Sequence, residues 1–301
     1  MTQRGRLLFI ALAFIWGIPY LLIKTAMGGL TPASLVFLRT AIGALILLPV
    51  ALRRGDPRAL LAHWRPLVLY TVAELAIPWV LLSDAERRIS SSLAGLMVAT
   101  VPLVGALISR FTGARERLGG KGLLGLLAGL AGVAVLLGFD GGARDGWILA
   151  ELLLVVIGYA VGPIVIARRL ADLPTLDVVA ASLALCAAAY APIGILQLPR
   201  SLPAPAVTGS VLALGVLCTA VAFVIFFKLI AEVGSTRATV VAYLNPAVAV
   251  LAGVLFLDEP FTAATAAGFL LILGGAYLAT GARSRINEDG RQERPLTSSV
   301  C

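Results

Sequence analysis

Ten long apolar runs follow one another along this chain, with short polar connections between them. Inside a bilayer every backbone N–H and C=O group needs a partner within the protein, so an apolar run of about 20 residues predicts a transmembrane helix. The runs lie near residues 7–27, 33–52, 66–83, 89–109, 119–139, 146–167, 176–198, 207–230, 236–257 and 263–282. Charged residues make up 13% of the chain and hydrophobic residues 59%, whereas soluble domains carry about a quarter charged residues. The sequence therefore predicts an all-α integral membrane protein with ten transmembrane helices.

A pattern in the fourth and fifth runs returns in the ninth and tenth. The matched pairs are Ser91 with Ser235 and Pro102 with Pro246 at an offset of 144 residues, then Glu116 with Glu259, Gly125 with Gly268, Gly132 with Gly275 and Gly138 with Gly281 at 143. We interpret the chain as two copies of one membrane unit, 1–139 and 140–282. The polar tail 283–301 lacks periodicity, and we expect it to be disordered and cytoplasmic. Because five spans per unit is an odd number, we expect the two units to be inverted repeats.

The distribution of basic residues predicts the orientation. If both termini are cytoplasmic, 18 of the 24 lysine and arginine residues lie on the cytoplasmic side. Four lie on the other side, Arg87, Arg88, Arg144 and Arg200, and Lys24 and Arg39 lie within or at the ends of spans. Cytoplasmic loops carry the excess of basic residues in membrane proteins. We therefore expect both termini inside, in the plasma or inner membrane.

The sequence offers no set of residues for enzymatic chemistry. The one histidine, His63, lies in a basic loop, so neither a zinc-binding HExxH pair nor a histidine-based triad can form. There is no CxxC spacing and no P-loop. The net charge of +8 comes from loops between apolar runs, which argues against a nucleic-acid partner. We expect no catalytic residues, no metal site and no cofactor.

Two charged residues lie where the membrane should be driest. Glu74 falls in the third run, and a carboxylate near a span centre costs about 2.5–3.5 kcal/mol on insertion scales. It is a candidate for proton coupling or for binding a cationic group, and the alternative is a structural ion pair with Arg39 or Lys24. Arg39 either reaches to the interface or faces a cavity and binds an anionic group.

Aromatic, amide and proline residues complete the predicted site. Trp16 and Tyr159 correspond at an offset of 143 and lie deep enough in their spans to line a cavity. Tyr243 is a further aromatic candidate, and Asn245 either binds substrate or satisfies the carbonyl group freed by the next proline. The prolines expected to kink helices around a central site are Pro19, Pro78, Pro102, Pro163 and Pro246.

Three motifs carry a resemblance to a known family. They are FIWGIPY at 14–20, AERRISSSLAGLMVATVPLVGAL at 85–107 followed by Glu116, and STRATVVAYLNPAVAVLAGVLFLDEP at 235–260. They resemble the drug/metabolite transporter superfamily, specifically the EamA type with ten spans and two EamA repeats. The resemblance implies a central cavity lined mainly by the first four spans of each repeat. Tyr159 stands where the family usually has tryptophan, and an acid at Glu74 is not a family-wide feature.

Together the residues and the resemblance predict a secondary transporter. We expect it to export a small organic metabolite, an amino acid or similar, by alternating access. The alternatives are a multidrug or aromatic-compound efflux carrier and a non-carrier membrane protein such as a lipid-handling protein. The expected partners are the small-molecule substrate, membrane lipid and, for coupling, the proton. The sequence decides neither the substrate nor the oligomeric state.

Overall fold

Helices account for every regular element that the structure describes. The computed structural model describes residues 2–111, 120–139, 145–234 and 238–292. Glu116, Arg144, Ser235 and the tail end 293–301 lie outside these ranges. Within them there is no strand, so the predicted all-α fold is confirmed.

Ten helical segments, called spans 1 to 10 below, follow the ten predicted runs. In the first half they are Gln3–Gly17 with Pro19–Ala26 (span 1), Pro32–Arg54 (span 2), Trp64–Tyr70, Thr71–Ala76 and Ile77–Ala85 (span 3), Ser91–Val98 with Val101–Phe111 (span 4), and Gly120–Phe139 (span 5). In the second half they are Gly146–Arg169 (span 6), Thr175–Leu196 (span 7), Pro205–Leu212, Ala213–Val221 and Ala222–Val233 (span 8), Thr239–Tyr243 with Asn245–Phe256 (span 9), and Ala263–Gln292 (span 10). A short helix, Pro57–Ala62, connects spans 2 and 3. Span 10 continues as a helix beyond residue 282, into the first part of the predicted tail.

Most of these spans match a bilayer in length and composition. Seven of them, spans 1 to 4 and 6 to 8, are long and apolar enough to cross a membrane. Spans 5, 9 and 10 contain shorter apolar helices, Gly122–Leu136, Val241–Phe256 and Ala263–Leu278. The chain is therefore a multi-pass membrane protein.

Proline residues lie where several spans change their helical geometry. Pro19 is the first residue of the second helix of span 1, and Pro102 and Pro246 are each the second residue of a helix within spans 4 and 9. Proline suits a first helical turn because its missing N–H would have no partner there. Pro78 follows the wide turn in span 3, while Pro163 lies inside the continuous helix of span 6.

Spans 3 and 8 each contain a π-helix, in which the backbone makes a wider turn than an α-helix. The two segments are Thr71–Ala76 and Ala213–Val221, at corresponding positions of the two sequence repeats. Such widened turns inside α-helices occur frequently at functional sites. The segment in span 3 carries Glu74, and the segment in span 8 carries Thr219.

The two halves pack against each other along all ten spans. The contacts between the halves include the pairs of spans 1 and 8, 2 and 7, 3 and 6, 4 and 9, and 5 and 10. Glycine permits close contact between spans 5 and 10: a Cβ atom on Gly275 of span 10 would lie 2.6 Å from the backbone nitrogen of Gly129 in span 5. The sequence spacing of Gly125 and Gly129 predicts such close helix contact, and this prediction is confirmed.

Candidate functional site

Arg39 lies where three spans from both halves meet. Its side chain projects from span 2, and the residue is only 8% exposed. Its Nε donates a hydrogen bond of 3.0 Å to Oγ1 of Thr219 in span 8. Its guanidinium carbon lies 3.7 Å from the ring centroid of Trp79 in span 3. The charge is therefore held at the interface between the halves and does not reach out to a membrane surface.

This guanidinium has fewer partners than a buried cation usually has. Stacking on a desolvated aromatic ring contributes about 2 kcal/mol, and a guanidinium carries five N–H donors. Among the described residues only the Nε donor makes a hydrogen bond, and no acid lies within ion-pairing distance of 4.0 Å. The remaining donors are available to a bound anion.

Thr219 can hold Arg39 because the wide turn of span 8 places its hydroxyl there. The same hydroxyl donates to the Leu214 carbonyl oxygen at 2.8 Å, five residues earlier. It thus satisfies a backbone group of the π-helix and accepts from Arg39 at the same time. The backbone irregularity and the position of the charge are parts of one arrangement.

Glu74 precedes Trp79 in span 3 and lies in the π-helix of that span. Its carboxylate packs directly on Gly162 of span 6, where a Cβ atom would overlap it. Its Oε2 is buried without a hydrogen-bond partner. The wide turn of span 3 and the small Gly162 opposite it therefore leave room for the Glu74 carboxylate. Its Oε2 receives no hydrogen bond from the described residues.

The two predicted arrangements of Glu74 and Arg39 differ in whether the two side chains form an ion pair. In the described chain, Glu74 forms no ion pair within 4.0 Å with Arg39 or with Lys24. The ammonium group of Lys24 instead donates to the carbonyl oxygens of Glu86 and Ile89 at 2.6 and 2.7 Å. The described residues therefore show no structural ion pair at Glu74, and its role in proton coupling stays a prediction.

Tyr159 connects the surroundings of the two charged residues. It projects from span 6 and packs against the buried core that contains Trp79. It lies one helical turn before Gly162, against which the Glu74 carboxylate packs. Arg39, Trp79, Tyr159 and Glu74 thus form one cluster from spans 2, 3 and 6, which we call the central cluster.

Trp16 contributes to a neighbouring aromatic group. Its ring centroid lies 4.9 Å from that of Phe226 and 6.0 Å from that of Phe223, both in span 8. Phe223 also packs against the buried core that contains Trp79. Trp16 is therefore linked to the central cluster through span 8.

The structure does not bring Tyr243 to this cluster. Its hydroxyl donates to the Ala276 carbonyl oxygen of span 10 at 3.3 Å, and it packs with Leu103 and Leu126. Asn245 begins a helix of span 9, and its Oδ1 is buried without a hydrogen-bond partner. The Asn245 backbone carbonyl lies against Gly17 of span 1.

A second polar group joins the halves at one end of the spans. The carboxylate of Glu259, between spans 9 and 10, accepts hydrogen bonds from the backbone N–H groups of Ser91 and Ser92 at 2.6 and 3.0 Å. The Ser92 hydroxyl also donates to it, at 2.5 Å. A carboxylate satisfies the free N–H groups at a helix start and complements the helix dipole. A cavity of about 330 Å³ lies beside it, lined by residues that include Leu96 and Leu136.

A salt-bridge network lies at the same end of the molecule. Arg88, after span 3, pairs with Asp84 at its own span end and with Glu151 of span 6 at 2.7 Å. Asp145, at the start of span 6, lies 4.0 Å from the same guanidinium group. This end, which we call the Glu259 face, is therefore closed by charged and polar contacts between the halves.

Comparison with known proteins identifies the family of this two-part fold. The model of the EamA-like transporter family matches residues 3–138 and 146–281. The chain belongs to the EamA-like transporter family.

Individual relatives agree with this assignment. The uncharacterized inner membrane transporter YedA of Escherichia coli K12 is 31% identical over 252 residues, which cover 81% of this chain and 79% of YedA. The uncharacterized transporter YvbV of Bacillus subtilis 168 is 26% identical over 275 residues, 90% of this chain and 89% of YvbV. A solved crystal structure matches with a TM-score of 0.65 at 26% identity, over 95% of this chain and 99% of the other. The EamA resemblance expected from the sequence motifs is confirmed.

Two contacts in this EamA protein, those of Thr219 and Glu259, are not predictable from the sequence alone. Thr219 is the one hydroxyl residue in the run ALGVLCTAV, which marks it as a candidate for a polar contact. The sequence spacing does not show that its partner is Arg39 on span 2. Glu259 stands out as a repeated loop acid, yet only the fold shows that it binds the start of span 4. Both contacts join residues more than 160 positions apart.

Proposed function

We propose that this EamA protein is a secondary transporter that exports a small metabolite carrying a carboxylate, an amino acid or similar. The supporting observation is Arg39, a buried guanidinium between the halves with one hydrogen bond and no acid partner. A carboxylate group of a substrate would accept from its remaining donors in a bidentate manner. Such a site explains why a cation is kept in an apolar core at all.

Glu74 supplies the second part of this proposal. An unpartnered buried carboxylate is able to bind the ammonium group of an amino acid or a proton. Its position near Tyr159, with Arg39 on the other side, suits a zwitterion with separated charges. Substrate and proton would then compete for one acid, which is a simple basis for exchanging one for the other.

Alternating access is supported by the arrangement of the spans. The contacts between the halves follow a two-fold pattern, because the pair of spans 1 and 8 corresponds to the pair of spans 6 and 3. Five spans per repeat together with a two-fold relation describe inverted repeats, with the substrate site at their interface. Rocking of the halves would expose Arg39 first to one side and then to the other.

The test is transport by purified protein in liposomes, with a mixture of isotopically labelled amino acids as the probe. We expect ATP-independent movement of at least one carboxylate-bearing compound. Arg39→Gln should reduce its apparent affinity about 10- to 100-fold, since a hydrogen bond to a charged group contributes about 1.5–3 kcal/mol. Arg87→Gln is the matched control, because that arginine lies exposed in a loop. Transport that requires ATP hydrolysis, or that ignores Arg39→Gln, would contradict the proposal.

The aromatic group around Trp16 supports a second candidate function, efflux of aromatic compounds. Four rings, from Trp16, Phe223, Phe226 and Phe227, lie within 6.2 Å of their neighbours. Such a group offers stacking surface to a planar ligand. Transport of an aromatic dye without a carboxylate, unaffected by Arg39→Gln and reduced by Trp16→Leu, would favour this candidate.

A further inference from the structure

Glu86 is a completely buried acid that the proposed transport site does not use. It follows the last residue of span 3 and is 0% exposed. Both of its carboxylate oxygens are buried, and neither has a hydrogen-bond partner among the described residues. A carboxylate in that state is costly when ionised, because it has lost water and gained no donor.

The charged groups that act electrostatically on Glu86 come from three different elements. They are Lys24 of span 1, Glu259 of the loop between spans 9 and 10, and Arg39 of span 2. The hydroxyl groups of Tyr20 and Tyr159 interact with Glu86 as well. Burial raises the pKa of Glu86 well above its usual value, Lys24 and Arg39 lower it, and Glu259 raises it again. Burial has the largest effect, so the neutral carboxylic acid is the favoured form in this conformation.

Lys24 lies beside this acid without neutralising it. Its ammonium group donates to the backbone carbonyl oxygens of Glu86 and Ile89. It therefore fixes the loop that carries Glu86, and among the described residues it forms no ion pair within 4.0 Å with the Glu86 carboxylate. If the carboxylate were ionised and hydrated, the same ammonium group would be at hand to pair with it.

The burial of Glu86 depends on contact between the two halves. Its chain neighbours Ala85 and Ile89 belong to a buried hydrophobic cluster that also contains Val207 and Ala249 of the second half. The Glu259 contacts with Ser91 and Ser92 close the halves at the same face. Water would reach Glu86 when the halves separate at the Glu259 face.

We propose that Glu86 is a proton-binding site linked to closure of the Glu259 face. The carboxylate takes up a proton from water as the face closes and returns it to water as the face opens. The proposal rests on the proposed function, because alternating access is what requires this face to open. It assigns to Glu86 a role separate from that of Glu74, which lies deeper in span 3.

Linkage gives the direction of the pH effect. The closed state binds the proton more tightly than the open state, so closure is favoured at low pH and is lost as the pH rises through the pKa of the closed state. The Glu86→Gln substitution mimics the neutral acid. It should therefore keep the face closed at every pH.

The experiment measures the distance between two spin labels across the Glu259 face. Labels are attached at Arg87→Cys in the first half and Leu202→Cys in the second, both exposed, in full-length protein in lipid nanodiscs with Cys186, Cys218 and Cys301 replaced by alanine. Between about pH 5 and pH 9 we expect the closed fraction to fall as the pH rises. Glu86→Gln should abolish this change. Asp172→Asn, which removes an exposed acid from the loop between spans 6 and 7 at the opposite ends of the spans, should leave it in place.

A second variant keeps the test decisive if Glu86→Gln does not fold. Lys24→Gln removes the positive charge that opposes protonation, so the midpoint of opening should move upward by about one pH unit. A Glu86→Gln protein that opens with pH as the parent does, or a Lys24→Gln midpoint that does not move, overturns the proposal. Liposome transport distinguishes failure of the Glu86 proposal from failure of the proposed function. If the protein transports substrate but its closed fraction does not change with pH, only the Glu86 proposal is contradicted. If the protein transports nothing, the proposed function is contradicted.

Discussion

Arg39 shows how a single residue can be fixed by groups far apart in the sequence. The flat guanidinium uses one face for the Trp79 ring and one edge for Thr219. Lysine offers neither a planar face nor a fixed fork of donors. The residue type at this position therefore matters beyond its charge, and the site is pre-organised for a planar anion such as a carboxylate.

Glu74 is the residue that we expect to couple transport to a pH gradient. We expect Glu74→Gln to remain folded, because the substitution removes an unsatisfied buried charge and keeps the size of the side chain. Exchange of substrate down its own gradient should continue, while accumulation driven by a pH gradient should be lost. Both are measured with the same liposomes, with and without an imposed pH difference.

A double-mutant cycle provides the control for Glu74. Since Glu74 and Arg39 form no ion pair in the described chain, the double mutant Glu74→Gln with Arg39→Gln should be no more stable than the sum of the two single effects. A double mutant more stable than this sum would indicate the structural pair after all. Uphill transport by a stable Glu74→Gln protein would exclude the coupling role.

Among the helices, spans 3 and 6 fit together because span 6 has glycine residues where the π-helix widens span 3. The π-helix Thr71–Ala76 lies against Gly158 and Gly162, and a Cβ atom on either glycine would overlap it. These two glycines have the four-residue spacing that brings membrane helices close together. The wide turn and the glycine stripe therefore depend on each other.

Gly162→Ala tests this dependence. The added methyl group would collide with the Glu74 carboxylate, and overpacking a well-filled core costs about 1–3 kcal/mol. We expect a lower thermal unfolding midpoint in detergent, measured by loss of the monodisperse size-exclusion peak. Gly146→Ala is the control at the start of the same helix, because a Cβ atom there meets nothing within 4 Å. Adding Glu74→Ala should restore part of the stability of Gly162→Ala, and no such recovery would contradict the account.

The sequence predicts the spans well because hydrophobic length is a local property. Glu74 and Pro78 interrupt the third run, yet it forms one continuous span, whose mean hydropathy of 1.6 is the lowest of the seven long ones. The π-helix within it has no sequence signature, because it arises from packing against Gly158 and Gly162. Side-chain partners such as Thr219 for Arg39 are likewise set by tertiary contacts between the halves.

At the scale of the whole molecule, the two polar regions lie at different depths of one interface. The central cluster joins spans 2, 3 and 6 with span 8, and the Glu259 face joins the ends of spans 3, 4, 6 and 9. Opening the Glu259 face would break salt bridges and hydrogen bonds, and water molecules can take the place of these partners. The apolar packing of spans 5 and 10 through glycines would not need to change.

The orientation of the molecule is the last prediction, and it fixes which side the Glu259 face is on. Loops at that face carry Arg87, Arg88 and Arg200, whereas most other basic residues belong to the opposite side, which should be cytoplasmic. A single cysteine at Leu202, 95% exposed, should therefore react with a membrane-impermeant maleimide in intact cells. A single cysteine at Arg58, in the exposed helix Pro57–Ala62 on the other side, should react only in inside-out vesicles. The reverse pattern would invert the assignment and make Glu86 sense cytoplasmic pH, and equal labelling of both sites in intact cells would mean that the chain inserts in both orientations.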